Sequence, residues 1–416
     1  GCTANPVMKD RLEELEQWGI EVILHNRRGW KESLARVLVH GLSYVYAGLV
    51  RLRLKLYRDR YIHDHHLGIP VISIGNLTVG GTGKTPVAEL LARALQKRGR
   101  KVAILSRGYK SKRQKRIRIW TKWLARVRGE KLPQNPPRVV SDGERVLLDS
   151  HTAGDEPFML ATNLPGVPVV VDKDRVKAGL HAIEKFGADI LLLDDGLQYL
   201  RLKHRLDMVL VDRTSAWGNG YLLPRGTLRE PPRHLKRASY IFLTKCDGSD
   251  NTAIIKDLRK YNRVAEIIEC RHRPMHLENI STRERIPLER LYGTHIGAVS
   301  GIAVPESFEN GLRKLGAKVE VFHRFADHHR FTIREIKQFF ERCERRDVEM
   351  IVTTEKDFVR FPEIKDLIVP IYFLRVEIEI VNGKEVFDRM VRILCEPREV
   401  PKPVYGSELI GRALEE

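Results

Sequence analysis

The string IGNLTVGGTGKTP, residues 74–86, constrains this chain more than any other stretch. It lies between an apolar run, Ile69 to Ile74, and an Ala/Leu-rich helical pattern, Pro86 to Leu95. A strand, a glycine-rich loop and a helix in that order bring backbone N–H groups onto phosphate at the positive end of a helix. Thr78, Gly80, Gly81, Thr82, Gly83, Lys84 and Thr85 are therefore the candidate nucleotide-binding residues. Lys84 would reach the β/γ oxygens and Thr85 would carry Mg²⁺. The usual first glycine, six residues before the lysine, is Thr78 here, with Gly80 and Gly81 supplying the flexibility.

Further apolar runs follow at Val102 to Leu105, Val169 to Val171 and Leu191 to Leu193, separated by helical stretches. Continuous apolar strands alternating with helices predict a parallel sheet covered on both faces, with ligands at the strand ends. The run at 191–193 ends in Asp194-Asp195, where P-loop enzymes hold Mg²⁺ beside the phosphates. One carboxylate can serve the metal while the other accepts a proton from an incoming hydroxyl. From about residue 236 the texture changes: SYIFLTKCDG, HIGAVSGIA, AKVEVFHRF, VEMIVTTEKD and LIVPIYFLRVEIEI read as further strands with helices between. The expected architecture is α/β: a P-loop NTPase-like parallel-sheet domain over 69–235 and a second, smaller α/β domain over 236–416. Before them stand an extension (1–32) and an interfacial helix with its linker (33–68).

The formal net charge of +19, from 73 basic and 54 acidic side chains, calls for an acidic partner or surface. Arg107 to Arg128 holds ten Lys or Arg and no Asp or Glu, with Trp120 and Trp123 among them. Val37 to Val50 carries no formally charged residue and is followed by Arg51, Arg53, Lys55 and Arg58. Fourteen residues of helix rise only about 21 Å, short of a hydrocarbon core. An apolar stretch, Tyr44, Tyr46 and Tyr57, and a basic end predict a helix lying in a membrane surface. The alternative is a helix buried against the globular domain. Cys2, Cys246, Cys270, Cys343 and Cys395 show no paired spacing, which fits a reducing compartment, and no cleavable signal peptide is visible.

Two other features stay open on the residues alone. Asp327-His328-His329 could relay a proton if the second domain folds over the first, or could be a surface loop. Thr244-Lys245-Cys246-Asp247 resembles a guanine-reading tetrapeptide, although LLLDDG lacks the Asp-x-x-Gly of a GTPase switch. A membrane-associated GTPase and a nucleic-acid-stimulated ATPase are the rival classes.

The order VISIGNLTVGGTGKTP, ILSRGY, GDEP, LLLDDGLQ, GNGYLLPRGTLREP, ADHHRF, TTEKD, preceded by the helix at 33–58, resembles the tetraacyldisaccharide 4′-kinases of lipid A biosynthesis nearly end to end. That family shares the substituted first glycine. The resemblance implies ATP as phosphoryl donor, Mg²⁺ as metal, and a lipid A disaccharide precursor as acceptor. It also implies peripheral attachment to the anionic cytoplasmic face of the bacterial inner membrane, with no nucleic acid and no obligate protein partner. Carried over, Asp195 activates the sugar hydroxyl with His328, His329 being the weaker choice. Asp194 and Asp155 count as further catalytic carboxylates, Asp194 standing with Glu156 and Thr85 near the metal and Asp155 beside the nucleotide. Arg107, Tyr109, Arg175, Gln198 and Glu230 line the substrate and phosphate site, with Arg229 a weaker candidate. Two departures stand out: a longer basic insertion, 111–138, and Arg225 and Thr227 where Ala and Pro are common.

Overall fold

The structure, a computed structural model, describes residues 29–108, 135–327, 329–362 and 369–396. Tyr109, His328, Cys2, residues 1–28 and most of the basic insertion lie outside them.

Helix α1 (Trp30–Arg58) leads into β1 (Val71–Asn76), α2 (Lys84–Gln96), β2 (Val102–Ser106), β3 (Arg138–Ser141) and α3 (Asp155–Asn163). Next come β4 (Val169–Val171), α4 (Arg175–Phe186), β5 (Ile190–Asp194), β6 (Leu206–Asp212), β7 (Tyr240–Thr244), α5 (Thr252–Tyr261) and β8 (Glu266–Asn279). The chain continues through β9 (Arg285–Ile286), β10 (His295–Ser300), α6 (Pro305–Lys314), β11 (Lys318–Arg324), α7 (Ile333–Glu344), β12 (Met350–Thr354), β13 (Ile371–Asn382) and α8 (Lys384–Cys395).

Strand β1 is buried along its whole length, as a central parallel strand covered on both faces must be. It pairs in parallel with β5 on one side and β6 on the other. Helix α2 covers one face because Val87, Ala88, Leu91, Ala92 and Leu95 recur at helical spacing and are all buried. Asp174 starts α4 by accepting the backbone N–H groups of Val176 and Lys177, satisfying donors the helix cannot.

Among the described residues the strands form one sheet, β11-β10-β12-β13-β8-β7-β6-β1-β5-β2-β4-β3, with β9 beside β8. The hydrogen bonding therefore runs across residue 236, since β7 joins β6 in parallel and the start of β8 joins β7. The two longest strands, β8 and β13, form an antiparallel ribbon that links the two halves. Helix α8 returns to the P-loop half, where Phe387, Met390, Val391 and Leu394 share a core with α2.

Helix α1 is the departure from a buried reading. Its 29 residues span about 44 Å. Ser43 and Ala47 are buried against the body, whereas Leu34, Val37, Leu38, Leu42, Tyr44, Val45, Leu49 and Leu52 are exposed. Its Ser33–Arg58 portion is long and apolar enough to cross a membrane by length and composition. The exposed apolar face is thus longer than the uncharged stretch 37–50 suggests. Cys246, Cys270, Cys343 and Cys395 are free thiols.

Candidate active site

The phosphate loop turns out of β1 and enters α2 through Gly83, which adopts φ +84°. A Cβ there would lie 3.2 Å from His272 Nε2, so glycine serves both the left-handed backbone and the close approach. The loop is fixed on two sides. Thr244 Oγ1 donates to the Thr82 carbonyl at 2.9 Å, and Val79 N donates to the Thr227 carbonyl at 2.7 Å. Lys84, the first residue of α2, places Nζ 3.4 Å from Asn76 Oδ1 and 3.7 Å from Asp195 Oδ1.

Asp194 ends β5 and Asp195 follows it with φ +54°. This left-handed turn reverses the alternation of a strand, so consecutive carboxylates serve one site instead of opposite faces. Gly75 of β1 makes the turn possible, because a Cβ there would fall 2.5 Å from Leu197 Cβ. The two carboxylates live in opposite environments. Asp194 is buried, accepts Ser106 Oγ at 3.2 Å through Oδ2, and leaves Oδ1 without a partner. Burial, reinforced by the negative charges of Glu156 and Asp195, pushes its pKa up to about 7. Burial also works to raise Asp195, but Lys84 and Arg229 outweigh it and hold this carboxyl below the usual range.

Arg229 is the direct partner of Asp195. Its Nη1 lies 2.7 and 2.8 Å from the two carboxylate oxygens and 3.3 Å from Gln198 Oε1. Glu230 stands behind it, accepting Gln198 Nε2 at 3.1 Å and Arg237 Nη2 at 2.8 and 2.7 Å, with His234 Nδ1 at 2.8 Å. Gln198 Nε2 also reaches the Asn76 carbonyl at 3.1 Å. Sequence reasoning thus ranked Glu230 above its neighbour, while the geometry gives Arg229 the contact and Glu230 the support. Asn76, ending β1 and bonded to Lys84, and Ser106, ending β2 and bonded to Asp194, were not singled out. Their position at the carboxyl ends of parallel strands was the available signal.

Arg175 opens α4, is buried, and stacks 4.5 Å over the Tyr199 ring. Burial lowers its pKa, and both Asp194 and Asp195 counter that. Arg107 follows β2 and is exposed.

Asp155 is held across the halves. Arg360 Nε donates to its Oδ2 at 2.7 Å and Arg330 Nη2 to its Oδ1 at 3.4 Å. Asp327 lies 3.6 Å from Lys356 Nζ. His329 stacks on Phe325 at 4.6 Å and meets both oxygens of Glu335 at 3.1 Å. Glu335 also closes the capping box of α7 with Thr332, so this histidine is tied to a structural carboxylate.

At Thr244 to Asp247, Lys245 Nζ pairs with Asp212 at 2.5 Å. Arg213 and Ser249 occupy both oxygens of Asp247, leaving this segment closed on itself.

Comparison with known proteins places this arrangement. Residues 35–395 match the family model described as tetraacyldisaccharide-1-P 4′-kinase. A tetraacyldisaccharide 4′-kinase of Syntrophus aciditrophicus is 35% identical over 88% of this chain and 96% of its own length. That of Geobacter metallireducens is 36% identical over 87% and 99%. A crystal structure of LpxK from Aquifex aeolicus in complex with ATP is 28% identical, with a TM-score of 0.66 over 86% of this chain and 99% of that one. The chain belongs to the tetraacyldisaccharide-1-P 4′-kinase family.

Proposed function

We propose that this chain transfers the γ-phosphoryl group of ATP to the 4′-hydroxyl of a tetraacyldisaccharide 1-phosphate, with Asp195 taking the hydroxyl proton. The observation that carries the chemistry is the position of Asp195: one carboxylate shared by Lys84 and Arg229 at the mouth of the phosphate loop. In this state the two cations suppress its basicity. The γ-phosphate competes for both of them, and as Lys84 and Arg229 turn toward the transferring oxygens, Asp195 recovers the basicity needed to accept a proton. Phosphoryl transfer needs positioning and charge stabilisation more than covalent chemistry, and these side chains supply both. His328 is proposed to assist Asp195 from the second half. Arg107, Tyr109, Arg175 and Gln198 are proposed to line the acceptor side, with Asp155 ordering the GDEP turn beside the nucleotide.

The residues fit Mg²⁺. Asp194 offers a buried oxygen with no protein partner, and Glu156 lies close enough to raise its pKa. Among the described residues no group of three His, Cys, Asp or Glu side chains gathers for a metal. Thr85, Asp194 and Glu156 would hold the ion, which when bound withdraws charge from the phosphate oxygens.

The exposed apolar face of α1, with Arg51, Arg53, Lys55 and Arg58 at its end, is proposed to seat the protein on the anionic cytoplasmic leaflet where a lipid acceptor resides. ADP release is expected to depend on the tetraacyldisaccharide in anionic vesicles. Release that is unchanged without acceptor, or that GTP or nucleic acid sustains instead, would contradict the reading. Burying a leucine is worth about 1.5–3 kcal/mol. Leu42→Glu with Leu49→Glu is therefore expected to lower vesicle binding at least about tenfold in cosedimentation.

A further inference from the structure

Helix α1 does more than present an apolar face. Tyr46 Oη donates to the carbonyl of Arg229 at 3.0 Å, and Arg53 Nη2 donates to the carbonyl of Gln198 at 3.0 Å. Seven residues apart, the two side chains lie two turns apart on one face of the helix. Their acceptors are far from α1 in sequence and come from different segments, yet the Arg229 side chain meets both the Gln198 side chain and Asp195. The backbone of Arg229 is also held on its other side, where its N–H donates to the Leu77 carbonyl at 2.7 Å. Ser43 and Ala47, small and buried, let the helix come close enough for these bonds.

We propose that Tyr46 and Arg53 are positioning residues for phosphoryl transfer: by fixing the carbonyls of Arg229 and Gln198 they set the Arg229 guanidinium against Asp195. This rests on the reading of Arg229 and Asp195 given above. The helix that seats on the membrane is then the same element that orders the reacting carboxylate. A shift of α1 along its axis would take the donors from the Arg229 and Gln198 carbonyls together, loosening the hold on the Arg229 guanidinium beside Asp195.

The test uses the full-length protein with ATP, Mg²⁺ and acceptor in vesicles. Tyr46→Phe removes one hydroxyl, and Arg53→Met removes the guanidinium while keeping an aliphatic stem. Each is expected to lower kcat at saturating vesicle concentration about three- to tenfold, the scale of one lost hydrogen bond, with KM for ATP unchanged; vesicle binding should be unchanged in Tyr46→Phe, while Arg53→Met also gives up one basic contact with the leaflet. Arg53→Lys, which keeps a donor, should recover part of the loss. In an Arg229→Ala background the same substitutions should cause no further fall, since they act through Arg229. Unchanged kcat in Tyr46→Phe and Arg53→Met at saturating vesicles, an equal further loss in the Arg229→Ala background, or a loss in Tyr46→Phe that tracks reduced vesicle binding would each overturn the proposal. Full kcat in Arg229→Ala alone would overturn the underlying reading of Arg229, and the proposal with it.

Discussion

Asp195→Asn is expected to lower the rate of phosphoryl transfer by a factor of about 10²–10⁴, the range seen when a general base is lost. Asparagine is the informative substitution because position 195 holds φ +54°, a conformation that Asn adopts readily and that costs alanine about 1–2 kcal/mol. The variant therefore keeps the turn that Gly75 accommodates and loses only the charge. ATP binding carries a distinct signature. Removing a carboxylate beside Lys84 and Arg229 frees two cations for the phosphates, so the affinity for ATP should stay level or rise while kcat falls. Calorimetric ATP binding alongside a rapid-quench rate separates this from misfolding, which would lower both. A variant that retains full kcat would remove Asp195 from the chemistry.

Arg360→Ala is expected to cost about 3–5 kcal/mol of stability, because it breaks a buried ion pair and strands its partners. The Arg360 guanidinium is fully buried, with Nε 2.7 Å from Asp155 Oδ2 and Nη1 3.1 Å from both Asp357 Oδ1 and the Gly301 carbonyl. Burial already raises the pKa of Asp357, which Arg360 opposes. Without the arginine the buried Asp357 carboxylate keeps only neutral donors, the Gly301 N–H and the Thr354 hydroxyl, at hydrogen-bond distance, and Asp155 loses the shorter of its two arginine contacts. Lysine should not restore the loss, since one ammonium cannot reproduce the planar fork that serves three acceptors. The pair also joins the first residue of α3 to the second half of the molecule, so the loss should appear as a lower midpoint in urea unfolding. A shift of under about 1 kcal/mol would mean that water or Arg330 replaces the contact.

The parts of this molecule that were legible in its sequence are local. A glycine loop between an apolar strand and an amphipathic helix, and a strand ending in two aspartates, carry their meaning within a few residues. The boundary near residue 236 was a different matter. The composition does change there, but β7 pairs with β6 through hydrogen bonds that no local pattern announces. Arg229 and Glu230 are neighbours in the chain, and the one that meets Asp195 is held by backbone contacts from distant segments, its N–H bonded to the Leu77 carbonyl and its carbonyl to Tyr46. Asp155 read as a carboxylate of the nucleotide site, whereas its partners Arg330 and Arg360 lie 175 and 205 residues away. His329 was placed below His328 as the partner of Asp195; its engagement with Glu335 and Phe325 was not legible in the sequence, and His328 lies outside the described residues. Helix α1 was visible as an apolar run with a basic end. Its bonds to Arg229 and Gln198 were not, since a tyrosine and an arginine in such a helix read equally well as membrane anchors.

The most direct measurement is the position of a labelled γ-phosphate after single turnover with a tetraacyldisaccharide 1-phosphate in anionic vesicles. The expected result is label on the 4′-oxygen of the sugar with the wild-type protein, and its absence with Asp195→Asn despite bound ATP. Label released as inorganic phosphate, label on another acceptor, or label on the 4′-oxygen at an undiminished rate in Asp195→Asn would contradict the chemistry proposed for this site.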